Sequence, residues 1–242
     1  MQRRLRRLAG WTAALASTAL LIGAAGAQQK PAAARAASGP APRAAAAAPA
    51  SKPAGPNPYA QRFASVCAAC HGANGRSDMP GTPVLAGQHA FYAITQLFLF
   101  REGRRDNPGM TAVAKTLTDD DLRGFSDFIE TLPSVPPPAP TTPPDPARMS
   151  KGQALAQQHK CLFCHGTDLA GGQQVPRLAG QREDYLQASL QGFKSGKRPG
   201  YTQAMTEAVS QIAPADLDVL AYYVARFVAP AAAPAGKASA GK

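Results

Sequence analysis

Cys67-Ala68-Ala69-Cys70-His71 and Cys161-Leu162-Phe163-Cys164-His165 together contain every cysteine of the 242-residue chain. CxxCH is the pattern of covalent haem attachment, in which the two thiols become thioethers to the vinyl groups and the adjacent imidazole takes the iron. The spacing is a chemical constraint. Cysteines three apart on a helical turn share a face, so both meet one porphyrin edge, and the next residue sets its ring beneath the metal. Two other uses of CxxC fit less well. The pairs lie 94 residues apart, far beyond the spacing of a zinc ribbon or finger. A redox dithiol needs one pair and no histidine after it. Two covalently bound haem c groups are therefore expected.

The two motifs head segments that repeat along their length. Leu85-Ala86-Gly87-Gln88 returns as Leu178-Ala179-Gly180-Gln181, and Phe100-Arg101-Glu102-Gly103-Arg104-Arg105 is echoed by Phe193-Lys194-Ser195-Gly196-Lys197-Arg198. Leu122, Phe125, Phe128 and Ile129 are matched by Leu217, Leu220, Tyr223 and Val224. Two similar modules are the simplest account. Each is small for a single hydrophobic core, and a covalent apolar macrocycle supplies the buried surface such a module lacks.

The repeat also selects a second axial ligand. Met1 is the initiator, Met79 falls opposite Gln173, and Met149 falls opposite Gly55. Only Met110 and Met205 correspond, each upstream of a closing helix. A thioether is a soft ligand that favours reduced iron, and histidine with methionine raises the potential relative to two nitrogen ligands. The competing reading is that either methionine fills a gap in the core.

The pattern predicts an all-α fold. A short helix leads into each CxxCH, and a glycine- and proline-bearing loop follows. Middle helices are expected over 88–101 and 181–194, then loops carrying the methionines over 103–116 and 196–211. Leu122, Phe125, Ile129 and Leu132, like Leu217, Leu220, Val224 and Phe227, have the three-and-four spacing of an amphipathic helix. Thr118 with Asp119 to Asp121, and Pro214 with Asp216, are start signals near the positive end of the helix dipole.

Helical modules with CxxCH, a distal methionine and a closing amphipathic helix resemble class I c-type cytochromes. The tandem arrangement, with LAGQ, the following Tyr92 or Tyr185, the F-R/K-x-G-R/K stretch and then methionine, resembles the di-haem cytochrome c4 family. The resemblance implies two tandem cytochrome c domains, each wrapped around one haem and joined by a proline-rich linker. It assigns Cys67, Cys70, His71 and Met110 to the first haem, and Cys161, Cys164, His165 and Met205 to the second. It further implies an electron carrier between a membrane electron donor and a terminal oxidase or reductase. One departure stands out. Gly152, which lets two helices approach closely, falls opposite Pro58, so the start of the first module is expected to be shifted or less tightly packed.

The full organisation is then a signal peptide over 1–27, a tether over 28–57, domains over 58–132 and 149–228 with a linker over 133–148 between them, and a tail over 229–242. Arg3, Arg4, Arg6 and Arg7 precede an apolar stretch ending near Ala25-Gly26-Ala27, the pattern of an export signal, and this places the protein in the periplasm. An uncleaved membrane anchor is the rival reading of the same stretch. The alanine- and proline-rich residues after it have no periodic apolar face and read as a disordered tether.

The formal charge of +11 says little about partners. Residues 57–132 hold 7 basic and 8 acidic residues and residues 149–228 hold 8 and 6, so the excess sits in the flexible ends. Nucleic-acid binding needs clustered positive charge on a folded face and is not supported. Arg101, Arg104, Arg105, Lys194, Lys197 and Arg198 could pair with haem propionates, present a docking surface, or be ordinary solvated charge. His89 and His159 have no histidine counterpart and read as exposed helix residues. The chain has no acid/base constellation near the haem motifs beyond Asp78 and Asp168, which favours a carrier over an enzyme. The alternative is the haem subunit of a periplasmic dehydrogenase, or a di-haem peroxidase-like enzyme with one exchangeable axial position.

Overall fold

Asn57 opens the first module: its side-chain oxygen accepts the Tyr59 N–H at 2.9 Å, and Pro58 takes the first helical position, where a missing N–H costs nothing. The computed structural model describes residues 57–134, 142–200 and 202–229. The export segment 1–27, the tether up to 56, residues 135–141 of the linker and the tail from 230 lie outside the described residues.

Helix α1 (Pro58–Val66) leads into a single turn, α2 (Ala68–His71), followed by α3 (Ala90–Arg101), α4 (Pro108–Ala114) and α5 (Asp119–Thr131). The second module repeats this order with α6 (Pro146–Gln158), α7 (Cys161–His165), α8 (Glu183–Ser195), α9 (Ala204–Val209) and α10 (Pro214–Ala225). Among the described residues the sole β pairing is an isolated bridge between Gly172 and Val175. The fold is all-α with two tandem modules. Helix α6 begins at Pro146 because Asp145 caps it by accepting the N–H groups of Ala147 and Arg148.

One expectation changes. The methionine segments, read as loops, each contain a short helix. Asn107 and Pro108 look like turn residues, yet Asn107 accepts the Met110 N–H at 2.9 Å and Pro108 occupies the first turn, so together they start α4. Met110 and Met205 thus ride on α4 and α9.

The closing helices carry the cores. In α5, Leu122, Phe125 and Ile129 are buried with Leu132 packed beside them, and in α10 Leu217, Leu220 and Val224 are buried with Phe227 beside them. Thr118 and Asp121 form a reciprocal capping box that satisfies two otherwise free N–H groups. Asp121 also takes a hydrogen-bonded ion pair from Arg62 of α1, tying the first helix to the last.

The missing glycine of the first module is explained by an exchange. In the second module Gly152 on α6 lies against Tyr223 of α10, and a Cβ there would overlap that side chain. In the first module the small residue is Gly124 on α5, and the ring of Tyr59 from α1 fills the space a Cβ would need. The Tyr59 ring then meets Phe125 edge-on at 5.1 Å, and Phe63 is 1% exposed. The crossing survives with the glycine moved to the other helix and the Tyr59 ring set against it. Helix α1, which starts at Pro58, is shorter than α6 and lies against α5 less extensively than α6 does against α10, so the first module's entry is the less tightly packed of the two.

Two outcomes are expected. Gly124→Ala and Gly152→Ala should each lower stability by about 1–3 kcal/mol, the usual range for overpacking, read as a fall in Tm. The Arg62 hydrogen bond, with help from Thr118, holds the Asp121 carboxyl well below the usual carboxylate range. A depressed folded-state pKa gives stability that is present above the unfolded value of about 4 and is lost as pH falls below it. Urea unfolding should therefore show a loss between pH about 5 and about 3 that is smaller in Asp121→Ala.

Candidate haem sites and the junction between them

Each CxxCH sits where one helix ends and a single turn begins. Cys67 joins α1 to α2, and the His71 N–H donates to the Cys67 carbonyl at 2.9 Å, which winds the motif into a helical turn. In the second module Lys160 adopts a left-handed conformation, φ 55°, to start α7. After the histidines the chain must reverse at once. Gly72 (φ 76°, ψ 151°) and Gly166 (φ 79°, ψ 158°) do this in a region essentially closed to residues with a Cβ. The Ser77 and Gly171 N–H groups then return to the carbonyls of His71 and His165.

Both imidazoles are buried and fixed. Nδ1 of His71 lies 3.0 Å from the Pro83 carbonyl oxygen, and Nδ1 of His165 lies 3.2 Å from that of Pro176. A carbonyl only accepts, so Nδ1 carries the proton and Nε2 keeps its lone pair free, the state a metal ligand requires. Burial pushes both imidazoles down from their ordinary pKa, with the proline carbonyls offsetting part of this, and so favours the neutral ligating form. Cys67 and Cys161 are half-buried, and Cys70 and Cys164 are exposed. Burial pushes the Cys67 thiol up to about 11 and raises that of Cys161. Among the described residues no three His, Cys, Asp or Glu side chains converge on a point.

Met110 is half-buried on α4, and Met205 is half-buried against the second core. The methionines set aside in the sequence have other settings: Met79 is 44% exposed, and Met149 packs into the second core.

The modules meet through residues whose role the sequence did not reveal. The side-chain amide of Gln88 accepts the Arg177 N–H at 2.9 Å and donates to the Arg177 carbonyl at 3.1 Å. Gln181 does the same to Val84, at 2.8 and 3.0 Å. Val84 and Arg177 occupy matching places in the repeat, so the junction has approximate two-fold symmetry. Arg105 donates to the Tyr185 hydroxyl at 2.9 Å, and Arg198 donates to the hydroxyls of Tyr92 and Tyr185, both at 3.1 Å. Of the six basic residues noted above, these two therefore belong to the junction. Arg101 instead pairs with Asp119 and Glu102, and Lys194 donates to the Ser210 carbonyl. His89 is not an exposed helix residue: it precedes α3, and its Nε2 lies 2.8 Å from the Ala170 carbonyl of the other module.

Among the described residues the tyrosine–arginine group has no carboxylate of its own: none is paired with Arg105, 9% exposed, or with Arg198. Burial raises both phenols; at Tyr185 the Arg198 and Arg105 guanidiniums overcome it and lower the pKa from its ordinary value, whereas Tyr92 stays raised. Buried guanidiniums are costly without an anion. The propionates of a haem are carboxylates of the required kind, and the free Nε2 atoms and paired thiols suit its iron and vinyl groups. The residues present fit the cofactor.

Comparison with known proteins agrees. The family model described as cytochrome c matches residues 60–133 and 149–226. Cytochrome c4 of Thiocapsa roseopersicina is 33% identical over 66% of this chain and 85% of that protein. A thiosulfate dehydrogenase electron acceptor of Thiomonas intermedia is 32% identical over 61% of this chain and 77% of that protein. The structure of reduced recombinant cytochrome c4 from Pseudomonas stutzeri superimposes with a TM-score of 0.63 at 28% identity, covering 72% of this chain and all of that one. Fold and sites together define a tandem c-type cytochrome with two covalently bound haem c groups. More narrowly, the chain belongs to the di-haem cytochrome c4 family. It is an electron-transfer protein, and its partners are redox proteins.

Proposed function

We propose that Cys67, Cys70, His71 and Met110 hold the first haem, that Cys161, Cys164, His165 and Met205 hold the second, and that both irons have six ligands. The observation that carries this reading is the matched pair of buried histidines, each with Nδ1 on a proline carbonyl and Nε2 free. Bound haem c supplies a one-electron couple at each site. The chain's own part is to fix the imidazole orientation, bring a soft sulfur ligand on a short helix, and keep water from the macrocycle. The matched modules, 58–132 and 149–228 as read from sequence, each take up one electron.

The protein is an exported carrier, working in the periplasm between a membrane-bound electron donor and a terminal oxidase or reductase. Among the described residues no helix is long and apolar enough to cross a membrane; the arginine-led segment 1–27 is what would direct export or tether the chain. The relative in Thiomonas intermedia is by its name an electron acceptor for thiosulfate dehydrogenase. That favours a second source of electrons, a periplasmic dehydrogenase, with this chain as its acceptor. A di-haem peroxidase-like role would need an open iron and an acid or base beside it. Asp168 is exposed and spends Oδ1 on the Ala170 N–H, and Asp78 is exposed.

The purified ferric protein is expected to show two low-spin, methionine-ligated haems and no rapid binding of cyanide. Met110→Ala and Met205→Ala should each convert one haem to a cyanide-binding form and leave the other unchanged. A spectrum unaltered by either substitution would remove the axial assignments, and a high-spin component in the unsubstituted protein would favour the enzyme.

A further inference from the structure

The LAGQ repeat has a glutamine that binds no haem in the scheme above, and its geometry assigns it a task. Pro83, whose carbonyl fixes His71, is followed by Val84, and both backbone polar groups of Val84 are taken up by the Gln181 side chain of the other module. Pro176, which fixes His165, is followed by Arg177, whose N–H and carbonyl are taken up by Gln88. The histidine support in each module is thus one peptide unit away from a two-point clamp reaching in from its neighbour.

We propose that Gln88 and Gln181 are crossed positioning residues: Gln181 braces the support of the first haem's histidine, and Gln88 braces that of the second. This rests on the ligand assignments proposed above.

Three features make the clamp stiff. Both glutamines are 6% exposed, so water does not compete for their bonds. Each amide oxygen also accepts a local N–H, from His89 at 3.2 Å and from Arg182 at 3.0 Å, which fixes the amide plane. Besides the Gln181 side chain, no described residue bonds the Val84 backbone, so without it that strand of chain has only its covalent neighbours to hold it. Losing one partner of a buried pair also leaves peptide groups unsatisfied.

The consequence is electronic. The Nδ1–H bond to a carbonyl makes the imidazole a stronger donor, and a stronger donor favours ferric iron. A support that drifts away weakens this bond and shifts the balance towards ferrous iron. A substitution in one module should therefore raise the midpoint potential of the haem in the other.

The test is potentiometric titration of the full-length holoprotein, with the two midpoints assigned to their haems through Met110→Ala and Met205→Ala. In Gln181→Met the first haem's midpoint should rise, giving a several-fold higher ratio of reduced to oxidised iron at fixed poise, while the second stays in place. Gln88→Met should give the mirror image. Gln181→Glu keeps the bond from the Val84 N–H and loses the one to its carbonyl, so it should shift the same haem by less. Hydrogen exchange at the Val84 amide should quicken in Gln181→Met. A shift in the substituted module's own haem, an equal shift in both, or no shift in either would overturn the proposal. If the methionine substitutions fail to open one iron each, the ligand assignments fail; if they succeed and the crossed pattern is absent, only the role of the glutamines falls. If Gln181→Met fails to take up two haems, Gln181→Glu decides the question.

Discussion

The bond from each buried histidine Nδ1 to a proline carbonyl is the constraint on which the rest of the molecule turns. Without it the imidazole is free to rotate and to exchange tautomers, and Nε2 is no longer presented in one direction. The glycine after each histidine reverses the chain, and the loop then carries the proline back to the ring, with Val84 or Arg177 and then LAGQ behind it. Helix capping, core packing and the junction all serve to hold this short circuit of chain. In the first module Leu85 and Ala86 close it by donating to the Gly75 carbonyl, and in the second Leu178 and Ala179 donate to that of Leu169.

Duplication gives the molecule two such circuits, and the junction exploits their likeness. Because Gln88 and Gln181 make equivalent contacts, the interface is close to two-fold symmetric although the chain is continuous. The modules are not copies in detail. The glycine of the helix crossing is on α6 in one and on α5 in the other, where the Tyr59 ring takes the space and the first helix lies less extensively against the last. Likewise His89 and Arg182 fill the same place after the glutamine, and both reach a carbonyl of the opposite module.

Much of this was legible in the sequence. CxxCH names its chemistry because two thioethers and an axial imidazole allow so little variation in spacing, and the closing helices showed because their apolar stripes are regular. The methionine segments misled because asparagine and proline serve equally as turn residues and as the start of a helix. The junction was hidden for a different reason. Gln88, Tyr92, Arg105 and their partners are polar residues that look solvated until a second module covers them, and periodicity carries no signal for that. The recurrence of LAGQ and of proline five residues before each glutamine at a fixed offset was the available clue. It marked the residues as shared without disclosing what they touch.

Among the described residues, the two arginines and two tyrosines at the junction have no carboxylate partner of their own, whereas nearby Arg182 is paired with Asp184. The two arginines suit a protein that holds two anionic cofactors and passes single electrons. The central claim is that two porphyrins are joined covalently to this polypeptide, and denaturing mass spectrometry of the protein matured in a host competent for haem attachment tests it most directly. A mass equal to the processed chain plus two haems is expected; a chain carrying one macrocycle, or none, would contradict covalent attachment at both sites.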